Sequence, residues 1–195
     1  MGHGLAWFGV GNGTSSVGNP KDQVDSVGIL FIDGGFEGRL LGPLIFSLGI
    51  NASLSSGKLQ YNYKGSDNIT YQGSDVTYYM TLTALQLGLG LRLIETKWFH
   101  VFAVGGGFAG SADLGVQAVD NAQITAAGTK YLSEQKSILA TGLFAEAGLD
   151  FLGKSFGLRF AGRLARGSTD PIEVLNKKKI EFIDAAGYIA VIKVL

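Results

Sequence analysis

Apolar residues recur in this chain at every second position, and that period limits the fold more than any other feature. From Leu44 to Leu54 the even positions are Leu44, Phe46, Leu48, Ile50, Ala52 and Leu54. Between them lie Ile45, Ser47, Gly49, Asn51 and Ser53. From Leu85 to Leu93 every odd residue is Leu, separated by Gln86, Gly88, Gly90 and Arg92. Successive side chains leave a strand on opposite faces, so such runs predict strands with one apolar face. No long amphipathic helix competes with them, and no run is apolar for the roughly 20 residues that a membrane-crossing helix needs.

The same period continues along the chain. Leu139–Phe151 and Phe156–Leu164 alternate cleanly; Leu30–Leu40 and Phe102–Ala112 alternate with more glycine; Leu5–Gly13 and Ile183–Leu195 have ambiguous parity. The count is eight strands, each long enough to cross a bilayer at a tilt, which takes ~9–11 residues. Their connections alternate in length. Leu41–Pro43, Ile94–Lys97 and Leu152–Ser155 are short, whereas Thr14–Val24, Lys58–Asp75, Leu114–Ser133 and Gly167–Lys178 are long and polar. An up-and-down antiparallel sheet with this rhythm has its tight turns at one end and its long loops at the other. The 195 residues form a single domain on this reading.

The opposite faces decide between a soluble barrel and a membrane barrel. A water-exposed face would be rich in Lys, Glu and Thr; here it is mostly Gly, Ala and Ser. Thirty glycines, and 16% charged residues against a usual share of about 25%, fit that sparse face. Nearly all lysines fall in loops, turns or strand ends, whereas Arg39, Arg92, Arg159 and Arg163 lie on the polar faces of strands with Glu37, Glu146 and Asp150. The planar fork of arginine suits a crowded interior in which it pairs with carboxylates. The short turn at Leu152–Ser155 is expected to set Glu146 between Arg159 and Arg163, with Asp150 diagonal to Arg159. These seven residues are read as an ion-pair cluster that plugs the lumen toward the short-turn end, either as a structural core or as a gate.

Aromatic residues sort in the same way. Tyr61, Tyr63, Tyr71, Tyr78, Tyr79 and Tyr131 lie near the long loops; Phe46, Trp98, Phe99, Phe151 and Phe156 lie near the short turns. Two aromatic belts are what two membrane interfaces require. With these features the chain resembles the small eight-stranded outer-membrane β-barrels of the OmpA-transmembrane-domain, OmpX, OmpW and opacity-protein type. The resemblance implies an all-β, antiparallel, up-and-down transmembrane barrel in the bacterial outer membrane, with short periplasmic turns, longer external loops, and lipid and lipopolysaccharide as surroundings. It also implies a non-enzymatic role, structural and loop-mediated. The alternatives are a small porin or OmpW-like channel for small or hydrophobic molecules, and a soluble lipocalin-like carrier. Such barrels commonly end in an aromatic residue after alternating apolar ones. Here Lys193 interrupts one alternation, so either the register runs through Tyr188, Ala190, Ile192 and Val194 or Lys193 snorkels to the interface.

Other chemistry finds little footing. Zero net charge gives no general attraction to nucleic acid, and the absence of cysteine removes disulfides and thiolate sites. The N-terminus MGHGLAWFGVGNG has no basic region before an apolar block, so it is not a signal peptide. Either the chain is cytoplasmic or a leader has been removed. His3 and His100 both map to the short-turn end, far from Ser55, Ser66 and Ser74, so activated-serine chemistry lacks a base. His100 is expected at the interface beside Trp98. No cofactor or metal is implied: Asp67, Asn68 and Asp75 read as solvated loop groups, as does the run Lys177–Lys179. Small residues expected on the lipid side, Gly106, Gly110, Ala112, Ala145, Ala147, Gly162, Ala185 and Gly187, outline a face on which copies could associate as a homo-oligomer.

Overall fold

The computed structural model describes residues 4–18, 27–64, 70–118, 132–171 and 179–195. The strands are β1 (Leu5–Gly18), β2 (Val27–Leu41), β3 (Leu44–Lys64), β4 (Thr70–Glu95), β5 (Phe99–Ala118), β6 (Leu132–Leu152), β7 (Phe156–Thr169) and β8 (Glu181–Val194). Each pairs antiparallel with its sequence neighbours, and β8 closes on β1. The lateral row from Leu44 runs through Leu91, Ala103, Ala147, Gly162, Gly187, Asn12 and Leu30. It returns to β3 at Leu54, ten residues beyond its start. A stagger of this size tilts the strands by about 40°, within the range for eight-stranded membrane barrels.

The turns follow local chemistry. Gly42 takes a left-handed conformation, with φ of 55°, that a side chain would resist; Pro43 follows it between β2 and β3. Thr96 Oγ1 accepts the backbone N–H of Phe99 at 3.0 Å and folds the β4–β5 turn. At the other end, four strands run further than their hydrophobic period suggested. The β3–β4 pairing continues to Lys64↔Thr70 and β5–β6 to Gln117↔Leu132, so much of the expected long loops is strand. Within β6, Ser137 adopts a φ of 58° at a bulge, and its N–H donates to Asp113 Oδ1 at 2.8 Å.

The barrel is inside out relative to a soluble one. Leu85, Leu87, Leu89, Leu143 and Leu164 are each about 60–70% exposed on the outer wall, whereas Asp33, Glu37, Asp150 and Arg159 are at most 1% exposed within. An apolar wall of this kind cannot be left in water, which removes the soluble carrier. Near the short turns the wall carries Trp98 and a chain of rings, Phe99–Phe151–Phe160, with centroids 5.4 and 6.0 Å apart. The last strand sends Ile189, Val191, Lys193 and Leu195 outward. Lys193 Nζ sits 4.4 Å from the Phe156 ring centroid, so Lys193 is an interface residue. On the tyrosine side, Tyr79 is exposed; the side chains of Tyr61, Tyr63, Tyr71 and Tyr78, and all of Tyr131, lie outside the described residues.

One strand has the opposite parity to that expected. The even residues of β5 point into the barrel: Phe102, Val104, Phe108 and Ala112 are buried, and Gly106 and Gly110 sit among them. A methyl group built on Gly106 would come within 2.6 Å of Gly88 Cα, and one on Gly110 within 2.7 Å of Ala84 Cβ. Gly106, Gly110 and Ala112 are therefore lumen residues, and the outward set on β5 is Ala103, Gly105, Gly107 and Ala109. The reason is pairing: Arg92 lies opposite Phe102 in the ladder and Glu146 opposite Val104, and opposed residues share a face.

Candidate functional site

The lumen is built in two layers. Its external half is mainly apolar: Met80, Leu82, Phe108, Leu114, Ile138, Ile180 and Phe182 form one buried cluster, beside which Ser15 Oγ donates to Asp184 Oδ1. Inward glycines leave room for the rings in both layers. A methyl group on Gly167 would meet Phe182 Cζ at 2.5 Å and Phe108 Cζ at 2.7 Å, and one on Gly148 would meet Phe102 Cε1 at 2.8 Å. The glycine-lined interior is thus occupied by aromatic side chains. A cavity of about 20 Å³ lies among Asn51, Arg163, Asp184, Phe108 and Phe182, room for about one water molecule.

The half toward the short turns is charged. Arg159, from β7, is its centre. Its Nε donates to Asp150 Oδ1 at 2.7 Å and its Nη2 to Asp150 Oδ2 at 3.0 Å and Glu37 Oε2 at 2.9 Å. The guanidinium lies 4.0 Å from the Phe102 ring centroid and 5.1 Å from that of Trp7. Carboxylates hold its edge while rings hold its faces, which satisfies both parts of the planar cation. Arg92 closes the set by donating Nη2 to Glu37 Oε1 at 2.8 Å.

The expected cluster is therefore distributed as follows. Glu37, Arg92, Asp150 and Arg159 meet in one buried network. Arg39 stays at the rim, paired with the partly exposed Glu95. Arg163 lies deeper, donating Nη1 to Gln86 Oε1 at 2.8 Å and to Asp33 Oδ2 at 3.1 Å. Glu146 accepts from Tyr188 at 2.6 Å and stands 3.9 Å from Arg159. The register differs from expectation by two residues: Asp150 is directly opposite Arg159 and Glu146 opposite Arg163, because the β6–β7 ladder continues to Leu152↔Gly157.

Several members were missed in the sequence. Asp33, Gln86, Tyr188, Trp7 and His100 all join the interior. Asp33 shares the inward parity of Glu37, and Tyr188 that of Ala190, so strand parity was the available signal. His100 is not beside lipid: it is 5% exposed, with Nδ1 4.0 Å from Asp150 Oδ2 and Nε2 3.9 Å from Glu95 Oε1. Its position opposite Asp150 in the ladder turns it inward. Of the three serines, Ser55 is buried on the lumen side, opposite Ile29 and Met80; Ser66 and the side chain of Ser74 lie outside the described residues, as do His3, Asp67, Asn68, Lys177, Lys178 and the side chain of Asp75. Among the described residues, no three His, Cys, Asp or Glu groups are placed to hold a metal ion.

Solved structures with this architecture are outer-membrane proteins. Neisserial surface protein A matches with a TM-score of 0.51 and 10% identity, over 95% of this chain and 96% of its own. OprG of Pseudomonas aeruginosa matches with a TM-score of 0.50 and 14% identity, over all of this chain and 96% of its own. The fold is the eight-stranded outer-membrane β-barrel. With its exposed leucine wall, such a barrel belongs in the bacterial outer membrane. No protein-family model and no curated protein sequence matches the chain.

Proposed function

We propose that this barrel is a closed, non-enzymatic outer-membrane protein, which stabilises its membrane and makes contacts through its external ends. The observation that carries this reading is the lumen. A charged layer around Arg159 is followed by a mainly apolar layer of packed rings, and the cavity beside Arg163, Phe108 and Phe182 is about 20 Å³. An ion would have to break buried pairs and then pass a section filled by aromatic and aliphatic side chains. In planar bilayers the folded protein is expected to pass no steady current. Steady conductance that changes in Glu146→Ala or Arg159→Ala would establish instead the second reading, a small channel.

The external ends favour a binding role because β3 to β6 continue as paired strands past the end of the apolar wall. Lipid and lipopolysaccharide are the immediate partners. Arg166 suits the outer boundary, its side chain 73% exposed and only loosely paired with Glu181 at 3.7 Å; Ile183 flanks it in the ladder. Self-association is proposed for the wall of small residues, redrawn as Ala103, Gly105, Ala145, Ala147, Gly162, Ala185 and Gly187. All but Gly187 line a concavity of about 760 Å³ bordered by Leu89, Leu91 and Leu164. Crosslinking in native membranes is expected to give dimers or higher species; monomer alone would remove this part of the proposal.

A further inference from the structure

His100 has a place in the charged layer that the closed-barrel reading does not use. Both of its ring nitrogens face a carboxylate oxygen just beyond hydrogen-bond reach, at 3.9 and 4.0 Å. Nδ1 has no hydrogen-bond partner among the described residues, although the side chain is almost fully buried. The two oxygens are already engaged, each through a longer bond. Asp150 Oδ2 accepts from Arg159 Nη2 at 3.0 Å, and Glu95 Oε1 accepts from Arg92 Nη1 at 3.3 Å. The charged groups around the ring are Arg92 and Glu95 from β4, Asp150 from β6 and Glu37 from β2.

We propose that His100 is a proton-operated latch at the periplasmic mouth. Neutral imidazole has one N–H, so one nitrogen turns a lone pair toward a carboxylate. Imidazolium has two N–H groups, and each then competes with an arginine for the oxygen it faces. Acidification draws Asp150 Oδ2 from Arg159 and Glu95 Oε1 from Arg92. Glu37 is left to bridge the two arginines, through Oε1 to Arg92 and Oε2 to Arg159. Arg159 also rests on Trp7, so its displacement reaches a second strand pair. The latch thus converts one proton into a rearrangement of the layer. It does not require the lumen to conduct.

Trp7 reports on that rearrangement. The chain has two tryptophans, and Trp98 lies on the outer wall, so Trp98→Phe leaves Trp7 as the single fluorophore. In liposomes, the Trp7 emission of this variant is expected to change through one transition as pH falls, and the change is expected to vanish in Trp98→Phe/His100→Gln. A flat profile in Trp98→Phe overturns the latch, as does a transition that persists without His100. If the His100 variant does not fold, the ring of His100 is followed by NMR in the parent protein, where only His3 needs to be distinguished from it. Co-titration of His100 with the Arg159 Hε resonance supports the latch; independent behaviour of the two refutes it.

Discussion

Replacing Arg159 with Met should expose how the charged layer is held together. The arginine is 1% exposed and makes all the hydrogen bonds to Asp150 found in the layer. Its loss leaves Asp150 as an uncompensated buried carboxylate and removes the cation 3.9 Å from Glu146, while Glu37 keeps Arg92 at 2.8 Å. Removing one partner of a buried pair typically costs about 3–5 kcal/mol, more than the pair itself contributes. The packing against Phe102 and Trp7 is partly retained by Met, so the electrostatic loss dominates. The double variant Arg159→Met/Asp150→Leu removes both charges and leaves Glu37 balanced by Arg92. It should recover more than half of the loss. The assay is urea unfolding in lipid vesicles, followed by tryptophan emission and by gel mobility without heating. A single-variant cost below about 1 kcal/mol, the level of exposed ion pairs, would refute the reasoning. So would a double variant less stable than the single one.

Four further substitutions test the packing, the wall and the bulge at Ser137. Gly167→Ala should destabilise by about 1–3 kcal/mol, the usual cost of overpacking, because its new methyl meets the Phe182 and Phe108 rings. Gly162→Ala, where nothing lies within 4 Å of the new methyl, should stay within about 0.5 kcal/mol of the parent in the same urea titration. Leu87→Arg places a charge on the lipid side of the wall, where Leu87 is 66% exposed; a loss of about 2–4 kcal/mol is expected, and an unchanged midpoint would count against a lipid-facing β4. Asp113→Ala removes the acceptor that holds the Ser137 N–H at 2.8 Å, and faster amide exchange at Ser137 is the expected result.

The architecture was readable because one face of most strands is uniformly Leu, Ile or Phe. Leu85 to Leu93 admit a single outward parity, and the short turns then fix the neighbours. β5 misled because size and sidedness conflict there. Phe102, Val104 and Phe108 look like lipid-facing residues, yet they fill space left inside by Gly148, Gly88, and Gly142 with Gly167, respectively. Tracing the ladder from Arg92 across the turn to Phe102 would have corrected it. The same step finds His100, which follows Asp150 inward. Part of the ion-pair network was legible from the placement of Arg159 and Asp150 on polar faces. Its partners across the lumen were not, since Asp33 with Arg163 and Glu37 with Arg159 meet only after closure. The outer reaches of β3 to β6 were read as loops because polar residues dominate them, although Leu59, Tyr61 and Tyr63 alternate with Gln60 and Asn62 in β3.

The inside-out arrangement, with its reversed β5, is tested most directly by an accessibility scan. The chain contains no cysteine, so single cysteines can be spin-labelled without background. Labels placed successively from Ala103 to Ala109 in vesicles report their exposure to oxygen dissolved in lipid and to a water-soluble nickel reagent. The structure predicts oxygen exposure at Ala103, Gly105, Gly107 and Ala109, and protection from both reagents at Val104, Gly106 and Phe108. Oxygen exposure at the even positions, or nickel access along the strand, would contradict it.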